Sequence, residues 1–374
     1  MSARYFYPVV VIILVLGAGW FCIAQVANKI AGRAPRVYAS LQDQLVYEPS
    51  TDLSEVPEES SQSMHLYAVG DIMLSRTVAD KMAKKGNDYP FSGMKDILQQ
   101  ADAVFANLEC PITAGRHIEA EELSFRANPG VEELMADANI SAVSLANNHS
   151  PNFGNDGLLD TISYLDAAGI ASTGAGEDLD QAEQPALLTR NGITIAIVAY
   201  TWSSLVPASY GASDTQPGTA FMDIANMQSA VQRAQEMADY VFVSMHSGIE
   251  YTYTPTQQQI DFAHAAIDAG AELVIGHHPH VVQNIEAYKG KYILYSLGNF
   301  IFDQMWSQPT REGMLADIEI DSQEGVTGLD FVPVIIDDYA RPRPATDKEA
   351  EPILERLQLD KVACPCTTQT ADDA

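Results

Sequence analysis

Positive charge is what this sequence has least of: 21 Lys and Arg stand against 50 Asp and Glu, for a formal net charge of −29. A surface of that sign repels phosphate backbones, and no basic stripe offsets it, which excludes a nucleic-acid partner. Cysteine is scarce as well. Cys22 sits in an apolar N-terminal run, Cys110 inside the folded part, and Cys364 and Cys366 near the C-terminus. A pair with one intervening residue is too close for an ordinary disulfide and too sparse for a zinc knuckle. The chain also has no GxxxxGK phosphate loop, so it is not an energy-coupling subunit. Apolar residues are not lacking: at 47 % they supply a real core and exclude wholesale disorder.

From Tyr5 to Asn28 charge is missing altogether, with Arg4 and Lys29 bracketing the run. A helix of that length spans a hydrocarbon layer of roughly 30 Å. A cleaved signal peptide has a shorter apolar core with a small-residue site close behind it. The expectation is therefore an uncleaved N-terminal transmembrane helix, with residues 1–36 as a membrane anchor and the lipid bilayer as a partner. Basic residues on both flanks (Arg4; Lys29, Arg33 and Arg36) leave its orientation open. Residues 37–63 carry six acidic side chains and no basic one, which predicts a flexible acidic stalk. The folded domain is expected over 64–340, followed by a C-terminal extension and polar tail over 341–374.

Within the domain, short apolar runs alternate with longer amphipathic ones. Strands are predicted at 65–70, 103–107, 140–145, 193–199, 240–245, 272–276, 291–296, 314–320 and 328–334. Helices fit 92–100, 130–138, 156–168, 223–238 and 256–269, which makes a mixed α/β pattern. In the last helix His264 falls on the apolar stripe and reads as structural.

Histidine is rare, eight in all, yet His277, His278 and His280 crowd the end of the run "ELVIG". Other strand ends carry polar residues too: Asp71, Glu109, Asn147 to His149, His246, Glu250 and Asn299. Singly these read as caps, turns or satisfied core residues. Together they place carboxylates, an amide and imidazoles where strand ends converge, a donor set suited to Mn, Zn or Fe rather than Ca. One or more divalent ions held there would polarise a water for hydrolysis.

The stretches "AVGDIMLSR", "NLECPI", "SFRANP", "LANNHSPNFGNDG", "HSGIEY" and "GHHPHVVQNIEAYKGKYILYSLGNFIFDQ" resemble the CapA, or poly-gamma-glutamate biosynthesis, family. That family in turn resembles the calcineurin-like metallophosphoesterases. The resemblance implies a four-layer αββα sandwich on a membrane-anchored protein with an extracellular domain. It further implies an anionic envelope polymer such as poly-gamma-glutamate as partner, with membrane synthesis or export subunits. The implied activity is that of a metal-dependent hydrolase; a phosphoesterase, or a non-enzymatic assembly component keeping the fold, is the alternative. Carried over, Asp71, Glu109, Asn148, His246, His278 and His280 become the metal ligands. Asn148 and His149 become catalytic residues. Apart from the resemblance, Arg76, one of the few basic residues and five after Asp71, is the fork expected to meet a substrate carboxylate. His277 is not expected to ligate. Met73 stands where the phosphoesterase pattern has an imidazole, as is usual for the CapA-like group, and Asn152 stands where the family commonly has an Asp, three residues after His149.

Overall fold

The computed structural model describes residues 62–115 and 124–359. Its first sheet runs, in spatial order, through Arg341–Pro344, Gly325–Asp337, Glu312–Asp321, Ser63–Ile72, Ala103–Leu108, Ile140–Ser144 and Ala171–Thr173, with Asn299–Ile301 also beside Ser63–Ile72. The second runs through Ile285–Tyr288, Lys291–Leu294, Leu273–His277, Tyr240–His246, Ile193–Thr201 and Ala186–Arg190. All nine predicted strands are among these.

Side-chain alternation builds the layers. In Ser63–Ile72, Leu66 and Ala68 face the second sheet and meet Ile195, Ile197, Phe242 and Ile275 in one core. Tyr67 and Val69 point the other way, to a core with Val78, Met82, Met135, Leu158 and Leu165 from the helices on that side. In the second sheet, Val198, Tyr200, Val241 and Val243 bury their outer faces against Met227, Val231, Phe262 and Ala266. Period-two alternation with apolar residues on both faces is what a sheet covered on both sides requires. The order of layers is helix, sheet, sheet, helix, as expected. The segment from 341 also contributes, since Arg341–Pro344 pairs with Gly325–Asp337 and Ile353 and Leu357 of the helix Asp347–Leu357 enter the inter-sheet core.

One part of the expected architecture is corrected. No helix among the described residues is long and apolar enough to cross a membrane. The membrane-anchored fold, lipid partner and single-pass localisation therefore find no support. The run 5–28 and nearly all of the stalk 37–63 lie outside the described residues. His264 is also less buried than its stripe implied: its ring stacks on Tyr288 at 3.7 Å and its Nε2 lies 2.9 Å from Glu286 Oε1. It is nevertheless structural, and no part of the cluster below.

The parallel strands within each sheet leave their C-terminal ends on one edge, where α/β proteins place their sites. Backbone crowding shapes that edge. A Cβ on Gly70 would lie 1.9 Å from the Gly298 carbonyl oxygen, so only glycine lets the Asn299–Ile301 segment approach. The pairing with Ala103–Leu108 shifts register between Ala68 and Asp71, and such an irregularity re-aims the next side chain. Gly70→Ala is expected to cost at least the ~1–3 kcal/mol typical of overpacking. Urea denaturation checks this; an unchanged midpoint contradicts the close approach.

Candidate metal centre

Strand register lines up the first half of the site. Asp71 is paired with Asn107 on one side and Asn299 on the other. Glu109 lies two residues beyond Asn107, and alternation brings it to the same face. In the second sheet His246 pairs with His277. The turn after His277 presents His278 and His280 from left-handed backbone, with φ +99° and +56°. Such conformations are strained for residues with a side chain and gather at functional sites.

Two groups of ligand atoms result. Glu109, His246 and His278 form one, and Asp71, Glu109 and His280 the other; all are buried. Around the first, His246 Nε2 lies 2.8 Å from Asn148 Oδ1, 3.1 Å from His278 Nδ1 and 3.5 Å from Glu109 Oε1. Around the second, His280 Nδ1 lies 3.2 Å from Asp71 Oδ2, 4.0 Å from Glu109 Oε2 and 2.9 Å from Asn299 Oδ1. Glu109 thus belongs to both groups and turns one oxygen to each. The structure brings all six expected ligands together.

The residues fit divalent cations. Both Glu109 oxygens and Asp71 Oδ2 are buried without a hydrogen-bond partner. Orphaned acceptors of this kind are costly unless a charge satisfies them. Oxygen and imidazole donors without thiolate suit Mn, Zn or Fe.

The electrostatics agree for His246 and His278, while His280 must release a proton to ligate. Burial, then the charge of Asp71, push the Glu109 carboxyl well above the usual range. Burial would also raise Asp71, but the His277 and His280 rings more than offset it and hold that carboxyl well below its usual value. Burial, and then the neighbouring His278 ring, push His246 well down. His278 is lowered to about 3, by burial first and then by His280. Both rings are therefore neutral near neutral pH, the form that ligates. Burial works against a charge on His280, but Glu109 and Asp71 lift its pKa to about 9.

A stability test follows from Glu109. A carboxyl whose folded pKa lies above its unfolded one costs the metal-free fold stability as pH rises from about 4.5 towards the folded value. Metal-free Glu109→Gln lacks that loss. At neutral pH it is expected to be more stable than metal-free wild type by about 1–3 kcal/mol, the scale of a relieved buried polar group. Added Mn or Zn should reverse the order, because only wild type gains. Melting curves with and without metal check it; the same order in both conditions contradicts the shared carboxylate.

Other residues support or flank the cluster. Asn107 Nδ2 donates to Asp71 Oδ1 at 2.8 Å and lies 3.3 Å from His246 Nδ1, touching both groups. It escaped the sequence reading although its i, i+2 relation to Glu109 was a usable signal. His277 belongs to neither group; its Nδ1 lies 3.4 Å from Asp71 Oδ1, so it backs that carboxylate. Met73 Sδ accepts from Ser75 N at 3.2 Å and offers no replacement imidazole. One guanidinium nitrogen of Arg76, Nη2, pairs with Asp303, and the group lies 4.4 Å over the Phe125 ring.

His149 stacks on Phe125 at 3.9 Å, and its Nδ1 lies 3.0 Å from Asn152 Oδ1. That oxygen also accepts from Phe125 N at 2.9 Å. The Asn152 atom is thereby fixed as an acceptor, His149 Nδ1 as a donor, and the lone pair of the neutral ring lies on Nε2.

The family model described as bacterial capsule synthesis protein PGA_cap matches residues 65–304. The chain belongs to this family. It is 33 % identical over 279 residues to the PGA biosynthesis protein CapA of Bacillus subtilis, covering 74 % of this chain and 72 % of that one. It is 31 % identical over 309 residues to the capsule biosynthesis protein CapA of Bacillus anthracis, covering 79 % and 72 %. Among solved structures it is similar to the calcineurin-like phosphoesterase YfkN from Bacillus subtilis at 12 % identity and a TM-score of 0.48, covering 80 % of this chain and 98 % of that one. A likeness of that size carries nothing alone; the site chemistry rests on the residues above.

Proposed function

We propose that this protein is a divalent-metal-dependent phosphoesterase serving the production of an anionic capsule polymer of the poly-gamma-glutamate kind. One observation carries the reading: Glu109 is fully buried with both oxygens unpartnered and turned to two different ligand groups. A carboxylate so placed suits a pair of ions sharing one bridge. The relatives named for capsule and PGA biosynthesis support the polymer context.

Asp71, Glu109, Asn148, His246, His278 and His280 would hold the ions, with Asn107 and His277 steadying Asp71. When bound, divalent ions polarise a water and take up charge developing on phosphoryl oxygens. In phosphomonoester hydrolysis the water oxygen bonds to phosphorus as the bond to the ester oxygen breaks, and a proton ends on the released alcohol. His149 is assigned to that proton transfer, with Nδ1 anchored on Asn152 and Nε2 as the exchanging atom.

A second reading keeps the fold as a non-catalytic assembly component, and Met73 favours it, since one imidazole of the phosphoesterase pattern is absent. Protein stripped of metal and reloaded with Mn, Zn or Fe separates the two. Hydrolysis of para-nitrophenyl phosphate or its diester is expected only after loading. Retained metal without hydrolysis of either compound would leave the assembly role.

A further inference from the structure

The two ligand groups are unequally furnished. Glu109, His246 and His278 have the Asn148 carboxamide beside them, whereas Asp71, Glu109 and His280 stand alone, with Met73 where the phosphoesterase pattern has an imidazole. Asn299 is the neighbour that completes the second group. Its strand runs parallel to Ser63–Ile72 with Asn299 in register with Asp71, so both side chains leave the sheet on one face. Asn299 is fully buried. Its Nδ2 donates to the Thr310 carbonyl at 2.9 Å and to Gln304 Oε1 at 3.2 Å. Those acceptors fix which way the amide faces and turn Oδ1 to His280 Nδ1, 2.9 Å away.

Nδ1 is also the His280 atom that meets both carboxylates, at 3.2 Å from Asp71 Oδ2 and 4.0 Å from Glu109 Oε2. Donors held about 2.1 Å from one ion at right angles are about 3.0 Å apart, the spacing of Nδ1 from Asp71 Oδ2 and from Asn299 Oδ1. The first group repeats the contact, with Asn148 Oδ1 2.8 Å from His246 Nε2. Once Nδ1 gives up its proton to ligate, two lone pairs face each other across 2.9 Å, and a shared cation relieves them.

We infer that Asn299 Oδ1 is a further metal ligand, the carboxamide donor that stands in for the imidazole missing at Met73. The inference deepens the reading above and rests on its metal centre, not on hydrolysis. It also makes the two sites chemically distinct. Asp71, Glu109, Asn299 and His280 offer three oxygens and one nitrogen, while Glu109, Asn148, His246 and His278 offer two of each. Carboxylate and carbonyl oxygen suit Mn, and imidazole suits Zn and Fe, so the site at Asn299 is the one that prefers Mn.

Titration of metal-stripped full-length protein with Mn, followed by the paramagnetic resonance of the free ion, tests the assignment. Wild type is expected to take up two ions. Asn299→Leu should weaken one of them more than about 100-fold, beyond the loss usual for a supporting residue, and leave the other unchanged. The loss should be larger for Mn than for Zn, because an oxygen is removed and every imidazole stays. Asn299→Asp keeps the inward oxygen but not the Nδ2 donor, and should bind Mn at least as tightly as wild type. Circular dichroism reports that each variant is folded, and Asn299→Ala replaces the leucine variant if that one is not. Two tight Mn ions in Asn299→Leu, or no Mn bound by wild type, overturns the inference. Equal losses of Mn and Zn would overturn it too, by placing the effect in the His280 ring, and so would an aspartate variant that fails like the leucine one, by placing it in the Nδ2 hydrogen bonds. Hydrolysis of para-nitrophenyl phosphate is scored separately. Its absence beside two bound ions removes the phosphoesterase reading and leaves the ligand standing.

Discussion

His278→Ala is expected to lose metal and turnover together. The ring is buried, neutral, and 3.1 Å from His246 Nε2 in the group that also contains Glu109. Removing it takes a nitrogen donor from that group and opens space for water. Loss of a ligand should exceed the roughly 10–100-fold fall in affinity seen for mere supporting residues. Inductively coupled plasma analysis after dialysis should show depleted metal, with turnover reduced in step. A variant that retains full metal yet loses activity would move His278 from the ligand set to the proton-transfer machinery.

His149→Ala should separate those two quantities. Its ring is fixed by Phe125 and Asn152, and it belongs to neither ligand group. Metal content is expected to remain near wild type while kcat falls about 10²- to 10⁴-fold, the usual range for a general acid or base. The loss should be smallest for para-nitrophenyl esters, whose leaving group needs little protonation, and larger for alkyl esters. Equal losses for good and poor leaving groups would assign His149 to positioning instead of proton transfer.

Much of this site was legible before any coordinates. Long apolar runs such as "AVFANL" and "VFVSM" announce strands by composition, and the polar residue ending each is conspicuous by contrast. What stayed hidden depended on packing between distant segments. Asn107 drew no notice inside an apolar strand, because its partners Asp71 and His246 lie 36 and 139 residues away. Arg76 looked available for substrate, because Asp303, which holds it, is 227 residues off. The helix Arg76–Lys85 was missed because it buries only Val78 and Met82, too narrow a stripe to stand out. His277 was set aside as a non-ligand, and in the fold it backs Asp71. Hydropathy alone named an anchor in the N-terminal apolar run, which lies outside the described residues; among those, no helix is long and apolar enough to cross a membrane.

The ligands are divided between the two sheets. Asp71 and Glu109 leave the first, while His246 and the turn bearing His278 and His280 leave the second. Any ion held by Glu109 together with His246 therefore fastens one sheet to the other at their shared edge. Its binding free energy becomes added cohesion between two layers that are otherwise held by an apolar core and by polar contacts such as Asn107 Nδ2 to His246 Nδ1. Chelation would then do more than silence chemistry. It would let the layers breathe independently, so that amide exchange, slow and concerted across both sheets in the loaded protein, becomes faster and unequal between them.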